Sequence, residues 1–511
     1  MIRCAKRAMC CLLVLLFIAG SATFAGAEPA MWTTEPVNEF SQWFTNNADG
    51  YRLMVEADME ADTRFAAVRT VLRGLEHTIE IYPQHFERGA AAFAAFSNRF
   101  ASDTSAFTVL WSGRIPVAGR YATVLEWYRP PLLHVENDTC YYAAVDVEFR
   151  AGEGLSFLFK STVPFEQFGS KYYTLVLGTL SLVPRTAAAA NTPAEALPNP
   201  HWNQETRAWF QEHFGPEAGL DWGLFYPSAP EQYTEGFRAL EEGVGHKFEL
   251  LLRYSDFGVP VRELAPAFEN AAAEGRTLEL TLQTLPKAEG GVMLLDVLNG
   301  WYDPYLAEYA QAVAAYGRPV LFRLCNEMNG DWCSYCASLY GRDAELYVKF
   351  YRHVYRIFEE NGALANTIWV WNPNERSYPD YGWNHALCYY PGDEYVDVVG
   401  LTGYNNGTYY ASYGERWRSF GEIYDGLYAE YTAQFRQPLM ITEFACSDYG
   451  GDKSAWVAGM LSHIEDFPAI KAAIWWNNCD YDAYGEPARP YAIDGNEAVI
   501  GLFREYFAER D

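Results

Sequence analysis

Residues 319–332, PVLFRLCNEMNGDW, form an apolar run that ends in a polar pair, Asn326 and Glu327. A second run, residues 438–445 (PLMITEFA), ends in the same way on Glu443. An apolar run that carries a carboxyl group at its end is typical of a barrel strand that leads into an active site. The sequence therefore predicts two carboxyl groups at the ends of two strands.

Eight apolar, β-branched or aromatic runs follow one another in the C-terminal part of the chain, beginning near residues 220, 247, 277, 319, 367, 396, 438 and 470. Their number and their spacing of about 36 residues fit a (β/α)₈ barrel of roughly 250 residues. Glu327 and Glu443 are 116 residues apart (443 minus 327). This is about three units of the barrel. The two glutamates are thus predicted to end strands four and seven.

Four segments in this region resemble glycoside hydrolase family 26, chiefly β-mannanases, within the clan of retaining (β/α)₈ glycosidases: NEMNGDW, WVWNPN, YYPGDEYVDVVGLTGY and ITEFA. The resemblance covers roughly residues 200–511. It implies double displacement, with Glu327 as the acid/base and Glu443 as the nucleophile. One position differs, because the family usually has histidine where this chain has Asn326, a residue that the wider clan favours.

The resemblance leaves the substrate open among neutral β-glycans. It implies an endo-acting enzyme with β-1,4-mannan, including gluco- or galactomannan, as the first choice. The alternatives are β-1,3-xylan and mixed-linkage β-glucan. Asn326 is expected to bind the 2-hydroxyl of the sugar under attack, at the carbon where mannose and glucose differ. A protein of another class, a barrel that only binds glycans, is less favoured because both glutamates are present.

Aromatic residues near strand ends are expected to contact sugar rings. Trp332 follows the acid/base, and Trp475 ends strand eight. Strand alternation lets only one of Trp475 and Trp476 face inward, and we predict that it is Trp475. Trp371, at the end of strand five, is a further candidate. By resemblance, Tyr404 at the end of strand six is the hydrogen-bond donor to the nucleophile.

The two glutamates need different protonation states. Glu327 must hold a proton before attack, so its pKa should be raised, and the negative charge of Glu443 would contribute to that. Glu443 must stay ionised. Arg323, four residues before Glu327, is expected to supply positive charge from below.

The N-terminal residues 1–27 have the pattern of a signal peptide: three basic residues, an apolar core (CCLLVLLFIAG) and a small-residue cleavage site. The apolar run is shorter than the ~20 residues that span a bilayer. We therefore predict a secreted or extracytoplasmic protein that has no membrane association after cleavage.

The chain has a formal net charge of −28, which becomes −31 when the three basic signal residues are removed. Such an acidic protein repels phosphate groups, which argues against nucleic acid and anionic membranes as partners. A neutral β-linked polysaccharide is compatible with this charge. Aromatic side chains, 16% of all residues, can provide surfaces on which sugar rings stack.

Three regions follow the signal. Residues 28–185 contain short alternating runs, which predict an antiparallel β-sandwich that either binds carbohydrate or acts as a spacer. Residues 186–200, TAAAANTPAEALPNP, predict a linker with some stiffness. Residues 201–511 are predicted to be the catalytic (β/α)₈ domain.

Seven of the ten cysteines follow the signal, an odd number that leaves at least one unpaired within the chain. Cys333 and Cys336 form a CxxC motif without a second such motif, which favours a local disulfide or buried thiols. His246 and His353 are predicted to be structural. We therefore predict no metal and no cofactor. The HExxH and GxSxG motifs are absent, which argues against a zincin and an α/β-hydrolase.

Overall fold

A computed structural model describes residues 30–167, 169–284 and 293–510. The predicted signal peptide, residues 1–27, lies outside the described residues. Among the helices that are described, none combines the length and the apolar character needed to cross a bilayer.

The N-terminal part of the chain forms antiparallel sheets, as predicted. One sheet has four strands in the order β1-β2-β3-β13: β1 Trp32–Pro36, β2 Ser41–Asn46, β3 Tyr51–Glu56 and β13 Ser181–Leu182. Two further strands form a short hairpin: β11 Glu166–Gln167 and β12 Ser170–Lys171. A second sheet has seven strands in the order β4-β5-β6-β10-β9-β8-β7: β4 Glu60–Asp62, β5 Thr70–Arg73, β6 His77–His85, β7 Thr108–Val117, β8 Arg120–Tyr128, β9 Tyr141–Arg150 and β10 Glu153–Ser161.

Eight parallel strands close into a barrel in which the first strand pairs with the last. They are β14 Asp221–Phe225, β15 Leu250–Asp256, β16 Thr277–Gln283, β17 Val320–Leu324, β18 Thr367–Trp371, β19 Val398–Thr402, β20 Leu439–Phe444 and β21 Ile470–Trp476. Each begins within three residues of a predicted run, so the (β/α)₈ prediction is confirmed. A hairpin of β22 Cys479–Tyr481 and β23 Pro487–Pro490 follows the last barrel strand.

The described helices are α1 Ala90–Ser97, α2 Tyr172–Leu177, α3 Gln204–Phe214, α4 Glu235–Val244, α5 Ala265–Glu274, α6 Met293–Leu298, α7 Asp303–Tyr316, α8 Ala344–Glu360, α9 Phe420–Gln434, α10 Lys453–His463 and α11 Glu497–Ala508. Several have clear sequence boundaries. Ser419 and Glu422 form a capping box at the start of α9, and Gly317 ends α7 in the left-handed conformation.

The barrel strands bury both of their faces. Their outward residues join the large core that includes the surrounding helices. Their inward residues fill the barrel interior, chiefly with Leu250, Leu252, Leu321, Ile368, Val370, Val398, Met440, Ala472 and Ile474. Burial on both faces explains why the strands read as nearly continuous apolar runs in the sequence.

By its contacts the chain divides into two compact units. The smaller consists of the described residues up to Ala57 together with Thr179–Ala189, and it contains the four-stranded sheet. The larger consists of Asp58–Gly178 and Ala190–Asp511, so the seven-stranded sheet and the barrel belong to one unit. The boundaries that the sequence suggests at residues 185 and 200 remain predictions.

Buried ion pairs hold the seven-stranded sheet against the barrel within the larger unit. The Lys160 ammonium on β10 lies 2.5 Å from a carboxylate oxygen of Glu80 on β6 and 3.1 Å from Asp343. It also pairs with Glu345 on α8. The fully buried Lys160 is shared by three carboxylates. Arg69 also pairs with Glu80 and Arg73 with Glu345, so removal of Lys160 takes away the ion pair of Asp343 and weakens the compensation of the other two.

We expect Lys160→Met to lower the free energy of unfolding by about 3–5 kcal/mol, the range for breaking a buried ion pair. Urea denaturation followed by tryptophan fluorescence measures this loss. Arg416→Met is the control, because Arg416 pairs with Glu422 on an exposed surface and should change stability little. Equal, small losses in both variants would contradict the proposed role of the cluster.

Candidate active site

Glu327 and Glu443 lie at the carboxyl ends of the fourth and seventh barrel strands. Glu327 follows β17, and Glu443 is the fifth residue of β20. Glu327 has a φ of +55°, a conformation that non-glycine residues rarely adopt and that is concentrated at functional sites. Its backbone N–H donates to the Asn372 carbonyl over 2.8 Å, which fixes the turn at the end of the strand.

The Glu443 carboxylate receives donors on both of its oxygens. The Tyr254 hydroxyl donates to Oε2, and the Asn326 amide donates to Oε1 over 3.0 Å. The Arg323 guanidinium lies 3.3 Å from Oε1. This surrounding of donors and positive charge stabilises a carboxylate that carries no proton.

The Glu327 carboxyl group has a different surrounding. Its Oε1 accepts from the Asn374 amide over 2.5 Å, and its Oε2 accepts from the Trp332 indole over 3.1 Å. Burial, and after it the negative charge of Glu443, raise the pKa of Glu327 to about 7. Near neutral pH, Glu327 can therefore hold a proton close to the hydrogen-bonded Glu443.

Arg323 is fixed beneath the two glutamates by residues of several strands. Its Nε donates to Thr281 over 2.8 Å, and its Nη1 donates to the Asn372 side chain over 2.9 Å. The same Asn372 oxygen accepts from Thr402 and Thr442 at 3.1 and 2.9 Å. The fully buried guanidinium therefore has little freedom to move away from Glu443.

Trp475 was predicted to face the substrate, and the structure places it elsewhere. It is fully buried on the outer face of β21, with its ring 5.4 Å from that of Phe444. Trp476 instead follows Ile474 on the inward face, and its ring lies 6.3 Å from that of Tyr404. Only one of the two tryptophans faces inward, as predicted, but it is Trp476 and not Trp475.

Trp371 also lies away from the site. It is fully buried on the outer face of β18, where its ring lies 5.2 Å from Tyr390 and 5.6 Å from Phe435. Its position at the end of a strand suggested contact with substrate. The inward positions of this strand, however, belong to Ile368 and Val370.

Tyr404 is near the glutamates, but Tyr254 on β15 is the tyrosine that donates to Glu443. The Tyr404 ring packs 5.0 Å from Tyr491. Burial, and then the charge of Glu443, raise the pKa of the Tyr404 hydroxyl well above its usual value. Tyr254 was missed, although it stands at the polar end of the second predicted run, KFELLLRYSDF.

Trp332 is exposed beside the glutamates, and Asn326 carries an oxygen without a described partner. The Trp332 side chain is 46% exposed, and its ring lies 5.4 Å from that of Tyr378, so the two form an open aromatic surface beside Glu327. The Oδ1 of Asn326 is buried and accepts no hydrogen bond from the residues that the structure describes. Asn374, a donor to Glu327 that sequence analysis did not single out, lies in the quoted WVWNPN segment.

The described cysteines are thiols, and the possible metal ligands belong to a separate cluster. Cys333 and Cys336 are buried free thiols, as are most of the other described cysteines. A cluster of His134, Asp303 and His353 has the spacing of metal ligands. Arg356 donates to Nδ1 of His353, however, which places the imidazole proton on the Nε2 that faces Asp303.

The fold and the site together define a (β/α)₈ barrel protein with paired carboxyl groups at the ends of strands four and seven. Residues 278–446 match the model of the family described as Glycosyl hydrolase family 26. This match spans the third to the seventh strand of the barrel, about a third of the chain, and agrees with the resemblance seen in the sequence.

Several known proteins are similar to this chain. Endoglucanase H of Acetivibrio thermocellus is 28% identical over 295 residues, covering 57% of this chain and 31% of the relative. A mannan endo-1,4-beta-mannosidase of Bacillus subtilis is 34% identical over 108 residues, covering 20% of this chain and 28% of the relative. The chain thus spans less than a third of the length of these relatives. The structure of a modular endo-beta-1,4-mannanase from Cellulomonas fimi has 18% identity and a TM-score of 0.46, covering 61% of this chain and 75% of that one.

We expect the Glu327 carboxyl group to titrate near pH 7 and to titrate at lower pH in Glu443→Gln. The substitution removes a negative charge that favours the protonated form of Glu327. Carbon-13 NMR of glutamate side-chain carboxyl groups measures both titrations.

Glu360→Gln is the matched control, because it also removes one negative charge. Glu360 lies at the C-terminal end of α8, near the start of strand five, whereas Glu327 lies beyond the end of strand four. The Glu327 titration should not move in this variant. If Glu327 titrates near pH 4.5 in the unsubstituted protein, the assigned difference between the two glutamates is wrong.

Proposed function

We propose that this chain is a retaining endo-β-glycanase that hydrolyses neutral β-linked polysaccharides, with β-1,4-mannan as the first-choice substrate. The observation that carries the proposal is the unequal surrounding of the two glutamates. Glu327 has a pKa raised to about 7, whereas Glu443 accepts hydrogen bonds from Tyr254 and Asn326 and lies against Arg323. The match to the model of glycosyl hydrolase family 26 supports the same reaction.

In the first step, Glu443 attacks the anomeric carbon and forms an ester with the sugar. The bond between that carbon and the leaving oxygen breaks, and the oxygen takes the proton of Glu327. Because the ester carries no negative charge, one of the two influences that raise the pKa of Glu327 is removed, while its burial remains. Glu327 therefore remains deprotonated after it has given its proton.

In the second step, Glu327 takes a proton from a water molecule, and the water oxygen attacks the anomeric carbon. The ester bond breaks, Glu443 recovers its negative charge, and the product keeps the original anomeric configuration. The return of that charge again favours the protonated form of Glu327. The charge of Glu443 thus favours the acid form of Glu327 before the first step and its base form before the second.

Substrate contacts are assigned to residues at the mouth of the barrel. The exposed Trp332 ring, held by its hydrogen bond to Glu327, suits stacking on the sugar that leaves. The free Oδ1 of Asn326 suits a hydrogen bond from the 2-hydroxyl of the sugar under attack. Trp476, rather than Trp475, is the aromatic residue of strand eight that we assign to the reacting sugar.

Mixed-linkage β-glucan is the second candidate substrate. One relative, similar over more than half of this chain, is named an endoglucanase, whereas others, similar over shorter segments, are named mannosidases acting on mannan. The residue before the acid/base is Asn326, and it lies at the position expected to contact the carbon that distinguishes glucose from mannose. Both observations are compatible with glucan, as well as mannan, as the substrate.

We expect Glu327→Ala and Glu443→Ala each to lower turnover of an activated aryl β-glycoside by at least about 10²-fold, the lower range for loss of an acid–base group. Azide should restore turnover in both variants and give glycosyl azides of opposite configuration, because it replaces the base in one and the nucleophile in the other. Proton NMR of the anomeric signals identifies the products.

Glu360→Gln should keep the turnover of the unsubstituted enzyme and serves as the control. If both alanine variants turn over the aryl glycoside at unchanged rates, the assigned roles are wrong. An inverted product from the unsubstituted enzyme would exclude the double displacement.

The substrate preference is tested by Asn326→His together with a screen of mannan, lichenan and β-1,3-xylan. We expect the unsubstituted enzyme to cut mannan, and we expect Asn326→His to raise the ratio of mannan to lichenan activity, because the residue contacts the sugar at its 2-position. Reducing-end assays measure both activities. Cleavage of lichenan without cleavage of mannan would exclude mannan as the substrate.

A further inference from the structure

A third glutamate lies inside the barrel behind the pair. Glu279 is the third residue of β16, and its side chain is fully buried. Strand register places it level with Leu252 of β15 and Leu321 of β17. A charged carboxyl group among such apolar neighbours is costly unless a cation compensates it.

Arg323 is the cation next to Glu279. Its Nε lies 3.2 Å from a Glu279 oxygen, while its Nη1 lies 3.3 Å from Oε1 of Glu443. Neither Glu279 oxygen accepts a hydrogen bond from a described residue, because the guanidinium donates to Thr281 and Asn372 instead. Charge alone therefore couples Glu279 to Arg323, and one guanidinium is shared by two carboxyl groups.

We propose that Glu279 is a positioning residue of this active site that keeps Arg323 paired while Glu443 is esterified to the sugar. Its role in catalysis rests on the proposed function. Before the reaction, Arg323 is compensated by Glu443. In the ester, Glu443 has lost its charge, and Arg323 would otherwise be a buried cation without a counter-charge, which is strongly unfavourable.

The protonation behaviour of Glu279 agrees with this role. Burial raises the pKa of Glu279 to about 7. The charge of Arg323 acts against this rise, and the charge of Glu443 adds to it. The charged groups that face it are Arg323 from β17 and Glu443 from β20, while β15 presents Leu252 at the same level. Loss of the Glu443 charge removes an influence that favours the protonated form, so Glu279 becomes more fully ionised when Arg323 needs it.

Glu279→Gln keeps the shape of the side chain and removes its charge. We expect kcat/KM for an activated aryl β-glycoside to fall about tenfold, because the ester-forming step leaves Arg323 without compensation. The alkaline limb of the pH profile of kcat/KM should also move to lower pH, since loss of a nearby negative charge lowers the pKa of Glu327.

Two further variants separate this role from a purely structural one. Glu279→Asp keeps the charge and should restore the position of the alkaline limb. Asp397→Asn is the matched control, since burial also raises the pKa of Asp397 to about 7, but its carboxylate binds Asn199 and the backbone of Trp369. This variant should leave the pH profile unchanged. A folded Glu279→Gln enzyme whose alkaline limb does not move would overturn the proposal.

A measurement that needs neither turnover nor a folded Glu279→Gln variant tests the coupling directly. Carbon-13 NMR follows the Glu279 carboxyl group in the full chain, with its signal assigned by comparison with Glu279→Asp. In Glu443→Gln, the Glu279 titration should move to lower pH. An unmoved titration would show that the two carboxyl groups are not coupled. Failure of the proposed function appears instead as unchanged turnover in Glu327→Ala and Glu443→Ala.

Discussion

The proposed reaction depends on an ionised carboxylate at the mouth of a barrel next to a second carboxyl group that keeps its proton. Burial alone disfavours charge on both groups. Tyr254 and Asn326 remove this symmetry because they donate to Glu443, and Arg323 lies 3.3 Å from Glu443 although its charge also lowers the pKa of Glu327. The negative charge that they stabilise then favours the proton on Glu327.

The rest of the larger unit keeps these groups in place. Asn372 binds Arg323 with its side chain and Glu327 through its backbone carbonyl, so one residue at the end of strand five links both halves of the site. Buried ion pairs, such as that of Arg342 with Asp146, attach the seven-stranded sheet to the loop that follows strand four. A structural role for this sheet is therefore visible in its contacts, whereas binding of carbohydrate by the N-terminal region remains a prediction.

Sequence analysis located the barrel strands and the two glutamates because apolar runs with a terminal carboxyl group are local patterns. It did not identify Tyr254 as the donor to Glu443, since that contact joins strands two and seven and leaves no local signal. The choice of Trp475 over Trp476 was wrong because alternation shows that neighbouring residues face opposite sides of a strand, but not which of them faces the barrel interior. Glu279 was hidden within a run that reads as an ordinary buried strand.

The most direct test of the account is labelling with a 2-deoxy-2-fluoro β-glycoside that carries a good leaving group, followed by mass spectrometry of the digested protein. The fluorine slows hydrolysis of the ester, so the covalent intermediate should accumulate. The account predicts that one fluorosugar is attached to the peptide that contains Glu443. Attachment to another residue, or steady hydrolysis without any adduct, would contradict the assignment of Glu443 as the nucleophile.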